Sequence, residues 1–206
     1  MPTTLQDVVT RITRDYLNRT NLDNETVRAV QAAIRHYERN RYPWNETSTD
    51  LATVALQESV AVPTDFMVLD LLEITYAGSK YELHPRSFAE IRKYNAVPDA
   101  PALPSFYCER DDAFLLAPIP DASYTVTCSY MQKLPELTAT SMTSSNDWLS
   151  ACEDVIAYHA TKLMWSNVLR NNDEAVKYAQ LERDALTEVN TYIAQRLVRN
   201  IRPTRF

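Results

Sequence analysis

Histidine, cysteine and paired acids are the side chains that could do chemistry in this chain, and their spacing argues against most of it. His36, His84 and His159 are far apart in sequence, and none has a partner at ligand spacing such as HExxH. His36 and Glu38 would leave a helix on different sides, since residues i and i+2 do not meet. His159 falls near the apolar stripe of a predicted helix and reads as a core or interface residue. Asp111-Asp112 and Glu153-Asp154 could be paired carboxylates for acid and base work, but adjacent residues point in different directions, and Asp111-Asp112 also suits a hairpin turn. Ser144 and Ser145 lie in a polar stretch with no His or acid tied to them by spacing. Gly78 is the only glycine. Phosphate loops, dinucleotide fingerprints and nucleophile elbows need several glycines for tight turns and close backbone approach. These residues therefore assign no catalytic, cofactor-binding or metal-binding position, and the expected protein is not an enzyme.

Two other stretches invite a binding role. Tyr37, Tyr42 and Trp44 interleave with Arg35, Arg39 and Arg41, as stacking rings and basic residues do on a single-stranded nucleic-acid platform. The alternative, favoured here, packs Tyr42 and Trp44 beneath a β-domain, with the arginines solvated. The second stretch is RLVRNIRPTRF at residues 196–206, where Arg196, Arg199, Arg202 and Arg205 carry +4 with no acid. Ile201 and Phe206 add apolar anchors beside guanidinium forks that suit carboxylates. Such a segment docks into a partner's groove and orders on binding, or else is a soluble, disordered terminus; docking is favoured.

Charge distribution sharpens the second reading. The net charge of −6 leaves −10 on the preceding 195 residues, so a basic tail hangs from an acidic body. An acidic body argues against gripping nucleic acid as the main task. With 206 residues, 23% charged and 45% apolar, the chain can bury a core without metal or disulfide support. Cys108, Cys128 and Cys152 are odd in number and never at CxxC spacing, and are expected to be buried free thiols in a reducing compartment. No run approaches a membrane span, and MPTTLQDVVTRITRDYL has the period of a folded helix without a signal-peptide core.

The elements that would position these residues follow from periodicity. Leu5, Val8, Val9, Ile12 and Tyr16 mark one helix. Val27, Val30, Ile34 and Tyr37 mark a second, capped by Asp23 or Asn24 and stopped by Tyr42-Pro43. Thr47–Ala55, Ser59–Val62, Val68–Tyr76, Lys80–His84, Ser105–Glu109, Ala113–Ala117 and Ser123–Tyr130 read as strands. Gly78 and Arg110-Asp111-Asp112 are turns. Pro118-Ile119-Pro120-Asp121 ends one strand and turns before the next, because prolines remove donors and fix φ. A short helix begins near Pro85 with Phe88 and Ile91 inward, and three prolines make Val97–Pro104 a surface loop. TATSMTSSN reads as a mobile polar loop. Asn146 or Asp147 then caps a long helix with Leu149, Cys152, Val155, Ile156, Leu163 and Val168 inward. After Asn171-Asn172, Asp173 caps the last helix, with Val176, Ala179, Leu186, Val189, Ile193 and Leu197 on one face, and Pro203 keeps the tail from being helical.

The expected fold is α+β: an antiparallel helical bundle made from the N- and C-terminal helices, with an inserted antiparallel β-rich domain and an extended C-terminal tail. The expected domains are 1–42 for the N-terminal helical pair, 43–135 for the β-rich insertion, 147–200 for the C-terminal helices and 201–206 for the basic tail.

This order of parts, with RNRYPW closing the first helices, VPTDF before a strand, FLLAPIPDASYTVTCSYMQKLPEL, a capped NDWL and two closing helices, resembles the bacteriophage head-to-tail adaptor family. The resemblance runs from about Leu5 to Ile193, and the scarcity of turn glycines departs from the family's pattern. It implies a non-enzymatic structural protein of the virion neck, assembled in the host cytoplasm. Such adaptors form a ring, commonly a dodecamer, bound coaxially to the phage portal protein above and to a downstream tail or nozzle protein below, with genomic DNA passing transiently through the centre. No cofactor and no membrane are implied. A C-terminal extension often reaches into the portal, a role that would fall here to Arg196, Arg199, Ile201, Arg202, Arg205 and Phe206. The alternative is a nucleic-acid-binding accessory protein using the Arg and Tyr cluster and the tail.

Overall fold

Thr4 sets the first helix. Its hydroxyl accepts the Asp7 N–H at 3.2 Å while the Asp7 carboxylate accepts the Thr4 N–H at 2.9 Å, a reciprocal cap that satisfies two otherwise orphaned donors. The computed structural model describes residues 3–96 and 101–200, with side chains to residue 196. Helix α1 (Leu5–Arg11) runs into a π-helical turn, Ile12–Tyr16, and leaves it at Asn18, whose φ of 49° an asparagine tolerates. The Ser/Thr-rich loop expected to be mobile is tied down here: Ser144 and Met142 carbonyls accept the Leu5 and Gln6 N–H groups at 2.9 and 2.8 Å, two donors that α1 cannot satisfy internally.

Helix α2 (Asp23–Tyr37) buries the predicted stripe Val27, Val30, Ile34 and Tyr37, but it begins at Asp23 without a side-chain cap and ends five residues before Tyr42. Helix α4 (Asp147–Leu163) starts where Asn146 accepts the Leu149 N–H at 3.3 Å, bends at Cys152 (φ −145°, ψ 44°) and ends in a second π-helical turn, Met164–Val168. Arg170 then reverses the chain at φ 54°, and Asn171, two residues before the predicted Asp173, accepts the Glu174 N–H at the start of α5 (Asn172–Asn200). Leu5, Val9, Val30, Ile34, Trp148 and Ile156 are among the buried residues of one shared core, onto which Leu186, Val189 and Ile193 of α5 pack.

Residues 45–133 build two sheets. In the first, β1 (Glu46–Ala52), β8 (Thr125–Gln132), β3 (Phe66–Tyr76) and β4 (Ser79–Glu82) lie in the order β1-β8-β3-β4, all antiparallel. In the second the order is β2-β7-β6-β5, formed by β2 (Ser59–Ala61), β5 (His84–Pro85), β6 (Phe106–Arg110) and β7 (Ala113–Ala117). Leu72, Ile74, Val126, Cys128 and Tyr130 from the first sheet share a core with Val60, Phe114 and Leu116 from the second. Helix α3 (Phe88–Ala96) buries Ile91 against Cys108 and Ala117, another side of the second sheet. Pro85, expected near the start of this helix, instead ends the short strand β5, parallel to β6.

The Pro118-Ile119-Pro120-Asp121 segment does more than turn. β7 and β8 are the two predicted strands, yet they belong to different sheets and do not pair. The segment is therefore a crossover between sheets, entered through a cis Ala117–Pro118 bond. The hairpins manage with one glycine by placing other residues in the left-handed region: Ala77 (φ 49°) beside Gly78 (φ 80°), and Asp111 (φ 52°) beside Asp112 (φ 56°). Two successive positive φ values match the twist of paired strands. Alanine is the strained member, because its Cβ crowds the following carbonyl. Ala77→Gly is expected to stabilise the protein by about 0.5–1 kcal/mol after the added unfolded-state entropy, read as a higher urea midpoint at unchanged slope.

Overall the chain is α+β, with two compact units, Met1–Trp44 with Leu134–Phe206, and Asn45–Lys133.

Candidate functional site

The second half of α5 carries the surface best suited to hold another segment. The helix is 29 residues long, about 43 Å. One face of it, Leu186, Val189 and Ile193, is committed to the core, while Tyr192 is 65% exposed. Where this half passes the first turns of α4, it forms a cleft with Pro43 and Trp44 in two adjoining lobes of about 440 and 490 Å³. Ser150, Ala151, Ile193 and Arg196 line both lobes; Asp147 borders one, and Glu188 and Tyr192 the other.

Aromatic packing fixes the cleft's apolar wall. Trp44 stacks on Tyr42 with centroids 4.7 Å apart and planes 12° apart, and both meet Trp148 edge-on at 5.4 and 5.3 Å. These offset and edge contacts suit the ring quadrupoles. The pair thus packs on α4 within the helical core. The Trp44 indole N–H is buried and finds no acceptor among the described residues. Asp147 and Glu188 are exposed and form no ion pair among the described residues. The cleft therefore combines an aromatic wall, the two carboxylates Asp147 and Glu188, and the Arg196 side chain.

Of the predicted docking residues, Arg196 lines this cleft. The side chain of Arg199, together with Ile201, Arg202, Arg205 and Phe206, lies outside the described residues. The nucleic-acid platform is not presented: Tyr37 and Tyr42 are 4% and 8% exposed, and Arg35 pairs with Glu136 at 3.2 Å.

Packing brings two of the histidines together. His36 and His159, far apart in sequence, lie with ring centroids 4.7 Å apart, because α2 packs on α4. His159 is buried, and its Nδ1 is 2.7 Å from Glu182 Oε1. The same oxygen accepts the Tyr37 hydroxyl at 2.5 Å, and Lys162 Nζ donates to Glu182 Oε2 at 2.6 Å. Burial alone would raise the Glu182 pKa, but hydrogen bonds from His159, Lys162 and Tyr37 bring it down to about 2. Burial and the neighbouring carboxylate push the Tyr37 hydroxyl up, while burial and His159 push His36 down. This cluster links α2, α4 and α5, with both Glu182 oxygens engaged by side chains of the other two helices. The signal in the sequence was a glutamate three residues after Ala179 and four before Leu186, on the apolar stripe of α5.

The remaining candidates serve the fold. Glu153 and Asp154 both bind Arg11, at 2.9 and 2.6 Å, and these partners raise the Arg11 pKa despite its partial burial. Asp111 and Asp112 form the β6–β7 turn, and Ser144 and Ser145 bond to the start of the chain through Leu5 N and Thr3 O. Cys108, Cys128 and Cys152 are free and buried, and burial raises all three thiol pKa values. Among the described residues no three His, Cys, Asp or Glu side chains are placed to hold a metal ion, and no helix is long and apolar enough to cross a membrane.

No curated protein matches the sequence. The SU10 adaptor protein family profile matches residues 3–205, which spans both compact units and the predicted docking tail. With nearly its whole length accounted for by one profile, the chain belongs to the SU10 adaptor proteins, a phage head-to-tail adaptor family.

Proposed function

We propose that the protein is the virion adaptor that closes the gap between portal and tail, as a ring beneath the portal, a dodecamer by analogy with its relatives. The helices of the first unit close as an antiparallel bundle, the β-rich unit is inserted between them, and genomic DNA passes through the ring's centre. The neck of the virion, reached by assembly in the host cytoplasm, is its place of action, and a tail or nozzle protein is its lower partner. The family match over residues 3–205 carries this reading. The charge split supports it. A −10 body repels phosphates and lets DNA slide, while Arg196, Arg199, Ile201, Arg202, Arg205 and Phe206 form the portal-docking tail. Strand register also aligns Asp50, Thr127, Glu73 and Glu82 in one row across the first sheet. In this reading the row, in which Glu73 is paired with Lys80 at 3.6 Å, contributes to the acidic surface that faces DNA.

Sedimentation of the purified chain, alone and mixed with the portal of the same phage, tests the proposal. The full chain is expected to shift into a complex with many copies per portal ring. A chain lacking Arg196–Phe206 is expected to stay folded and to bind the portal at least about tenfold more weakly, about 1.4 kcal/mol. Unchanged binding by the truncated chain would remove the tail from the interface. Independent sedimentation of the two folded full-length proteins would overturn the adaptor assignment.

A further inference from the structure

We infer that the first sheet continues from one copy of the chain to the next, the outer edge of β4 pairing with the outer edge of the neighbouring copy's β1. The inference rests on the ring reading above and deepens it by naming the strands that join its subunits.

Both strands end the sheet order β1-β8-β3-β4, and Ser48, Thr49, Asp50 and all of β4 are exposed. The β1–β8 register runs without a shift from Glu46 to Ala52, and β1 has neither proline nor lysine, so it lacks the devices that keep an edge from pairing. Strand polarity permits the join. Each neighbour in the sheet is antiparallel, so β4 runs opposite to β1, and a second copy set beside the first in the same orientation extends the alternation. The two edges are different surfaces, so the contact is head-to-tail and repeats around a ring.

Main-chain phase decides which residues meet. Gln132 N donates to Asn45 O at 2.7 Å and Thr53 N to Tyr124 O at 2.9 Å, so the odd-numbered residues of β1 bond to β8 and the even-numbered ones point away from it. Leu83 N donates to Leu72 O at 2.8 Å, so in β4 it is Lys80 and Glu82 that point away from β3. Lys80 and Glu82 can then face Ser48 and Glu46, Asp50 and Ser48, or Ala52 and Asp50. The first and last of these set Glu82 directly opposite an acid. The middle register instead sets Lys80 against Asp50 and Glu82 against the Ser48 hydroxyl. Lys80 is also 3.6 Å from Glu73 of its own sheet, and Asp50 Oδ1 accepts the Thr127 hydroxyl at 2.8 Å, so Lys80 would lie between two carboxylates. Glu82 stays diagonal to Asp50 and Glu46, a repulsion that the Lys80 contact offsets. On the other face Tyr81, half exposed, covers Thr49 and Leu51 of the neighbour. The overlap supplies about four main-chain hydrogen bonds, so the join is expected to form on the portal, where copies are held side by side.

Tyr81→Cys combined with Thr49→Cys reads the join in portal-bound protein. These positions would form a non-hydrogen-bonded pair across it, with Cα atoms about 4.5 Å apart, within disulfide reach. Within one chain they lie three strand spacings apart, at least about 14 Å, so any disulfide between them links two copies. The native cysteines are buried. Oxidation with diamide is expected to give a ladder of covalent oligomers on a non-reducing gel, whereas either single variant gives dimers at most. Tyr81→Cys with Thr47→Cys, or with Leu51→Cys, is expected to link at least about fivefold more slowly. Faster linking through either would overturn the register. A folded, portal-bound double variant that gives no ladder would overturn the join and leave the adaptor reading standing. Wild-type protein that does not bind the portal would overturn the adaptor reading; the concentrated free double variant then decides the join, which a ladder sustains and its absence overturns.

Discussion

Truncating Glu182 to alanine is expected to destabilise the helical unit by about 3–5 kcal/mol, the cost of leaving buried ionic partners uncompensated. Three groups lose their acceptor at once: the Tyr37 hydroxyl, His159 and Lys162. The intact cluster also predicts a pH dependence. The Glu182 carboxyl titrates near 2 in the folded protein against an ordinary value of 4.5. A depressed pKa contributes stability that is fully present above 4.5 and is lost as pH falls through the folded value. Between pH 4.5 and 2 the wild type should therefore lose about 3 kcal/mol through this one group. Glu182→Gln, which cannot titrate, should be less stable at neutral pH and show a flatter dependence below 4.5. Urea unfolding followed by circular dichroism across that range checks both statements. Parallel pH profiles for wild type and Glu182→Gln would show that the cluster carries no linked proton.

Removing Trp148 should cost a similar amount for a different reason. Trp148 is 1% exposed and is touched edge-on by Tyr42 and Trp44, so Trp148→Ala opens a large cavity and removes two aromatic contacts. The expected loss is about 3–5 kcal/mol. Its indole N–H, however, is buried without an acceptor among the described residues. Trp148→Phe deletes that orphaned donor together with part of the ring, so the gain offsets much of the cavity and the loss should stay near about 1 kcal/mol. Thermal unfolding of the two variants separates packing from polarity. Equal losses would show that the N–H is satisfied in solution. Because Trp44 forms one wall of the cleft and packs on Trp148, Trp148→Ala should also loosen the cleft, visible as a broadened Trp44 indole resonance.

Local chemistry was enough to place most elements of this chain along the sequence. The stripe Val27, Val30, Ile34 and Tyr37 recurs at helical spacing, and only one helix face can bury it. Asn146 is a short polar side chain ahead of an apolar run, so its carbonyl oxygen meets the free N–H of Leu149 wherever the helix later packs. β-branched and aromatic residues alternating over Thr125–Tyr130 specify a strand for the same kind of reason, and Asp111-Asp112 specifies a tight turn.

Partnership between elements was decided only in three dimensions. Prolines 118 and 120 show that the chain turns, but hydrogen bonding across space determines that β7 pairs with β2 and β6 while β8 pairs with β1 and β3. His36, His159 and Glu182 are separated by more than a hundred residues in the first case and 23 in the second, and no periodicity couples them. They meet because α2, α4 and α5 each bury an apolar stripe in one core, which brings whatever polar residues lie on those stripes into contact. The cleft beside Trp44 has the same origin. Its wall comes from residues 43–44, 147–151 and 188–196, so it exists only once the helices have packed. A charge-rich tail is legible from composition, because charge is a property of residues; a cleft is a property of packing.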